Sequence, residues 1–161
     1  MRTLVGHIVA IALTFIVGWA VPSSLPLGSA AASASAIALD RGGRARELSV
    51  RGHAIFAGEA LLAGDRAAGA RDGVAGEARF DGPAALAPGP RGLVYVADAD
   101  NGMIRAVALE SGAVSTIAAG LTRPATLSYD GPSETLLVRD AHGLLSIDLR
   151  RGLVTALPGT E

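Results

Sequence analysis

The chain contains no cysteine. That excludes a disulfide framework, a thiolate metal site, covalent haem attachment and a cysteine nucleophile. Lysine is absent as well: all 14 basic residues are arginine, scattered along the 161 residues, and the net charge is −1. A near-neutral chain without a basic cluster has no electrostatic reason to bind nucleic acid or an anionic surface, and no nucleic-acid partner is expected. Aromatic residues make up 4% of the chain, and its one tryptophan, Trp19, lies near the N-terminus. Beyond that region only Phe56, Phe80, Tyr95 and Tyr129 remain, too few for the stacking platforms that sugar-binding sites use.

The N-terminus carries the clearest local signal. Met1-Arg2 supplies one positive charge, Leu4 to Val21 is apolar apart from His7 and Thr14, and Pro22 ends the run. A small-residue tract follows, with overlapping A-x-A triplets ending at Ala32, Ala34, Ala36 and Ala38. Charge, apolar run and A-x-A sites in that order predict a secretory signal peptide over 1–36, and hence a secreted or periplasmic protein. The run is nearly long enough to span a bilayer, so retention as a membrane anchor is the alternative. Residues 37–47, polar and arginine-rich, are expected to form a flexible linker, with ordered structure beginning near Leu48.

From there the pattern is short apolar runs separated by Gly, Pro, Asp and Asn, which predicts an all-β architecture. Strands are expected at Ala84–Ala87, Leu93–Ala97, Ile104–Leu109, Ala113–Ala118, Ala125–Tyr129, Thr135–Arg139, Leu144–Asp148 and Leu153–Leu157. The run from Leu93 to Ala97 is apolar at every position, which suits a strand buried between two sheets. Asn101-Gly102 favours positive φ at both centres of a tight hairpin. An internal repeat emerges on alignment. Pro83-Ala-Ala-Leu86 recurs as Pro124-Ala-Thr-Leu127, Val94–Asp98 as Leu136–Asp140, and Gly112-Ala-Val-Ser115 as Gly152-Leu-Val-Thr155. A period of about 40 residues with four strands per unit is the signature of a β-propeller blade.

Asp72-Gly-Val-Ala-Gly-Glu-Ala-Arg-Phe80, Pro83, Gly92-Leu-Val-Tyr-Val-Ala-Asp98, Asn101, Gly102, Ile104-Arg105 and Gly112–Gly120 together resemble the NHL repeat of β-propellers. Residues 83–120 read as one NHL-like blade and 121–161 as a degenerate second copy, which keeps Pro124 and Asp140 but has Ser146 where the first has Arg105. Residues 48–82 read as part of a preceding blade plus a Gly/Ala-rich connector, with Leu61-Leu-Ala-Gly64 as that blade's last strand. The resemblance implies six-bladed rings in which the motif Asp and Arg brace blades and turns, so Asp98 and Arg105 are expected to pair. A little over two blades cannot close such a ring. A truncated relic, self-association of three two-bladed copies, or a small open sheet packed on the Ala-rich segment would each resolve the shortfall.

No reaction is legible. The chain beyond the leader has two histidines, His53 and His142, without a G-x-S-x-G elbow or an evident triad. Asp98, Asp100 and Asn101 superficially resemble the start of a calcium loop, but the downstream Glu is missing and a hairpin explains them better. The Gly-rich stretch 64–76 lacks a P-loop or dinucleotide spacing. No catalytic residue, metal ligand or cofactor is expected. Asp100, Tyr129 and His142, read as turn residues, are the candidates for ligand contact. The expectation is an exported, non-catalytic binding module with self-association or an unknown protein as partner; a fragment of a lactonase-like propeller enzyme, or a relic without independent function, is the alternative.

Overall fold

The computed structural model describes residues 34–158, and these are all-β. Of the leader expected over 1–36, almost all lies outside the described residues; Ser35 and Ala36 open the first strand. Among the described residues, no helix is long and apolar enough to cross a membrane.

Thirteen strands follow in chain order: β1 Ser35–Leu39, β2 Ala45–Arg51, β3 Ala54–Ala57, β4 Ala60–Gly64, β5 Gly73–Val74, β6 Pro83–Pro88, β7 Leu93–Asp98, β8 Met103–Ala108, β9 Ala113–Ala119, β10 Thr126–Asp130, β11 Thr135–Asp140, β12 Gly143–Asp148 and β13 Leu153–Ala156. A single 3-10 turn, Ala75–Glu77, follows β5. The strands form three antiparallel sheets, ordered β1-β2-β3-β4, β5-β9-β8-β7-β6 and β10-β11-β12-β13. Every strand from β6 onward overlaps one expected from the breaker pattern.

Three expectations need correcting. Residues 37–47 are not a flexible linker. They carry β1, the β1–β2 turn and the start of β2, paired in register from Ser35↔Ser49 to Leu39↔Ala45. The preceding unit is therefore a complete four-stranded sheet over 35–64, not a partial one beginning at 48. The connector also contributes structure: Gly73 and Val74 pair with Val114 and Ala113, adding a strand outside β9 and covering backbone groups that an open edge would expose. The third correction is local. In the β7–β8 hairpin Asp98 pairs with Met103, leaving a four-residue loop. Only Gly102 there takes positive φ, at 62°.

Two apolar layers hold the sheets together. Leu48 and Val50 of β2, Ile55 of β3, Phe80 of the connector, and Val94 and Val96 of β7 fill the space between the first and second sheets. Tyr95 and Ala97 of β7, Ile104 of β8, and Leu136, Val138 and Ile147 of the third sheet fill the next. Successive residues of a strand point to opposite faces, so a strand apolar at every position can serve two layers at once. That is what Leu93–Ala97 does. Full burial of one such Val, Leu or Ile contributes about 1.5–3 kcal/mol, so the two layers dominate the favourable side of folding. The first strands lie side by side, β1 against β6 and β6 against β10.

Close approach demands glycine at Gly112, where φ is 67°. A Cβ there would collide with the Leu62 carbonyl oxygen in the first sheet.

Candidate functional site

Two polar assemblies stand out, one buried and one on the surface. The buried one centres on Arg105 of β8, whose side chain is fully enclosed. Residues 105, 107 and 109 point toward the first sheet, the face that also carries Asp98 at the end of β7. Register brings Arg105 opposite Val96, one step diagonally from Asp98. Arg105 Nη1 donates to Asp98 Oδ2 at 2.9 Å and to the Arg79 carbonyl at 3.2 Å. Nη2 and Nε donate to Asp72 Oδ1 at 2.6 and 3.1 Å. The guanidinium lies 5.1 Å from the Phe80 ring centre.

The carboxylates are also satisfied from elsewhere. Asp98 accepts from the Asp81 amide at 2.7 Å and from Asn101 Nδ2 at 2.9 Å, and the same Nδ2 donates to the Gly69 carbonyl at 2.7 Å. Asp72 accepts the Thr116 amide and hydroxyl, each at 3.0 Å. Burial raises the Asp98 carboxyl above the usual carboxylate range, against the lowering by Asn101, the Asp81 amide and Arg105. For Asp72, burial also pushes upward, but the Thr116 amide, Arg105 and the Thr116 hydroxyl together outweigh it and hold the carboxyl low. The expected pairing of Asp98 with Arg105 is present, and it extends to a partner, Asp72, far away in sequence. Every charged group here is spent on holding the connector 65–82 to the second sheet. Asp72, Phe80, Asp98, Asn101 and Arg105 thus form one structural brace.

Asp140 shows the same logic without an arginine. It accepts from the Thr122 amide at 3.0 Å, as Asp98 accepts from that of Asp81. Both amides stand two residues before a buried proline, Pro83 or Pro124. The repeated Asp thus pins the chain entering the first strand of its own sheet. The amides of His142 and Gly143 also bond to it, at 2.8 and 3.1 Å. These bonds, the Thr122 amide foremost, hold the Asp140 carboxyl below its usual range.

The surface assembly lies at the end where β2–β3, β7–β8 and β11–β12 turn. His53 Nδ1 accepts from the Gly82 amide at 3.4 Å and lies 3.4 Å from Asp81 Oδ1. The Asp100 amide bonds to the Asp81 carbonyl at 3.1 Å, and the Asp100 carboxylate pairs with Arg123 at 3.0 Å. The Ala141 amide reaches the Thr122 carbonyl at 2.8 Å, completing a path from the first sheet to the third. Asp100, Arg123 and His142 are exposed on this rim, with His53 and Asp81 half-buried beside them. Asp100 and His142 thus lie among the exposed loops. His53, which shows no evident triad in the sequence, has Asp81 as a neighbour across the fold. Tyr129 is corrected: it is the fourth residue of β10, not a turn residue, and its ring packs 5.5 Å from that of Tyr95 between two sheets. Arg123 and Asp81 were not singled out from sequence, and no local motif marks either.

The rim offers exposed donors and acceptors to a polar ligand, among them the Arg123 guanidinium, which pairs with Asp100. Among the described residues, no group of three or more His, Cys, Asp or Glu is placed to hold a metal ion. A cleft of about 250 Å³ opens on the first sheet, lined by Glu47, Ser49, Val50, Arg51, Gly58 and Glu59.

No protein-family model matches the chain, and no curated protein does. Solved structures from Bacteroides thetaiotaomicron do resemble it. One, a structural genomics protein of unknown function, aligns with TM-score 0.55 at 17% identity over 68% of this chain and 33% of its own. A second, provisionally assigned as a phosphatase, aligns with TM-score 0.56 at 19% identity over 77% and 35%. A third, an auxiliary nutrient binding protein, gives TM-score 0.52 at 19% identity over 74% and 36%. The chain spans about a third of the length of each. At such identities the likeness is one of fold: successive antiparallel β-sheets, shared with part of larger chains.

Proposed function

We propose that the three sheets are consecutive blades of an NHL-like β-propeller, and that the protein is an exported, non-catalytic binding module. The fold half of this reading is supported by four-stranded meanders that follow one another, with first strands adjacent and faces stacked. The recurring role of Asp98 and Asp140 also supports it, since one motif residue does one job in two successive units. Export is supported by the order of charge, apolar run and A-x-A tract over 1–36.

The observation that carries the binding role is the polar rim. Loops from all three sheets are hydrogen-bonded into one path from His53 to Ala141, next to His142, and on it the exposed Asp100 and Arg123 side chains pair with each other. A rigid scaffold presenting linked loops is the usual platform for recognition. One resembling structure is named as a nutrient binding protein, which adds analogy alone.

The test pairs binding with turnover. A ligand or protein retained by the exported chain should be lost from the triple variant Asp100→Ala, Arg123→Ala, His142→Ala, while its far-UV spectrum stays that of the parent. Calcium-dependent turnover of a lactone or ester panel by the purified chain would overturn the non-catalytic reading. Recovery of the chain in the cytoplasm with its N-terminus intact would overturn export.

A further inference from the structure

The second sheet is covered on both faces, and its neighbours are covered on one each. The first sheet turns Leu48 and Val50 inward but leaves Ile37 69%, Leu39 59% and Leu61 47% exposed. The third turns Leu136 and Val138 inward but leaves Leu137 39% and Leu153 55% exposed. These open faces are opposite in sense. The one on the first sheet corresponds to the face that, on the second and third, is covered by the sheet before. The one on the third corresponds to the face covered, on the others, by the sheet after. The contact used twice inside the chain can therefore be used again between chains, third sheet to first.

We propose that a second copy of this chain covers both open faces, head to tail, and closes a six-bladed ring of two molecules. The inference rests on the propeller reading above. Propellers hold about four to eight blades, and two copies of the three sheets over residues 35–156 give a whole ring in that range. A twofold ring repeats one contact twice and leaves no face open.

Charge favours a copy of this chain as the occupant. β2, β7 and β11 stack through the two apolar layers, so second strands meet second strands. The same stacking between copies sets Leu137 and Arg139 of one molecule against Glu47 and Ser49 of the other. Arg139 and Glu47 are both exposed, and neither has an ion-pair partner among the described residues. Glu47 lines the cleft on the first sheet beside Arg51 and Glu59, which pair with each other, so Glu47 is the acid there that an incoming guanidinium would meet.

Sedimentation of the full chain over a wide dilution series tests this. The expected mass is that of two chains. Arg139→Glu should weaken association at least about tenfold, and adding Glu47→Arg should restore it. Both positions are surface-exposed, so the variants keep their fold. A single-chain mass with a β-sheet spectrum would overturn this inference alone and leave the faces to a different protein. A mass growing beyond two chains, or a dimer indifferent to Arg139→Glu, would overturn it too. A helical spectrum would overturn the propeller reading along with it.

Discussion

Replacing Arg105 with methionine is the sharpest probe of the brace. The side chain is fully buried and bonds to Asp98, to Asp72 and to the Arg79 carbonyl. Methionine fills much of the volume but cancels no charge. Asp98, itself fully buried, then becomes an uncompensated carboxylate, and breaking a buried pair in this way costs about 3–5 kcal/mol. That is a large share of the roughly 5–15 kcal/mol by which domains are stable. With a urea dependence of about 1–3 kcal/mol per molar, the midpoint should fall by roughly 1–5 M. The loss should also depend on pH. Burial already raises the Asp98 carboxyl, and without Arg105 it rises further. Between the ordinary value of about 3.9 and the raised one, the folded state holds more protons than the unfolded state, so stability falls as pH rises. Urea titrations followed by far-UV circular dichroism should therefore find the variant partly rescued at pH 5 relative to pH 7. An unfolding free energy within about 0.5 kcal/mol of the parent's, or an equal loss at both pH values, would refute the account.

Other expectations follow from the same contacts. Phe80→Ala removes a fully buried ring between two sheets and should cost about 3–5 kcal/mol, read as a lowered urea midpoint. Gly112→Ala forces a Cβ against the Leu62 carbonyl at a positive φ; a loss above about 1 kcal/mol is expected, and proteolysis should then cut preferentially between the first and second sheets. The parent should lose stability in acid: Asp72 and Asp140 are held low when folded, so their contribution is present above the unfolded value of about 3.9 and lost as pH falls through the folded ones. Asp98 acts in the opposite sense, so Asp72→Asn should flatten the decline, measured as midpoint against pH from 6 to 3.

Strand positions from β6 onward were legible because they depend on local chemistry: where the breakers fall, and whether a run is apolar on one face or both. The brace was half legible for a similar reason. Asp98 and Arg105 flank one hairpin, and pairing register makes them neighbours whatever surrounds the hairpin. Sequence alone also determined what is excluded, since a chain without cysteine has no thiolate chemistry in any fold.

Tertiary structure decided the rest. The stretch 37–47, which holds most of β1 and the start of β2, reads as a linker because Ala38 is its one buried side chain and Asp40 to Glu47 is largely polar and arginine-rich. The strand identity of β1 and β2 comes from pairing with each other and from packing on a sheet thirty or more residues away. Asp72, Asn101 with Gly69, and His53 with Asp81 likewise meet only when the connector folds back. Such contacts join segments whose spacing carries no periodicity, because a side chain's local pattern encodes which face it occupies but not which distant group will stand opposite.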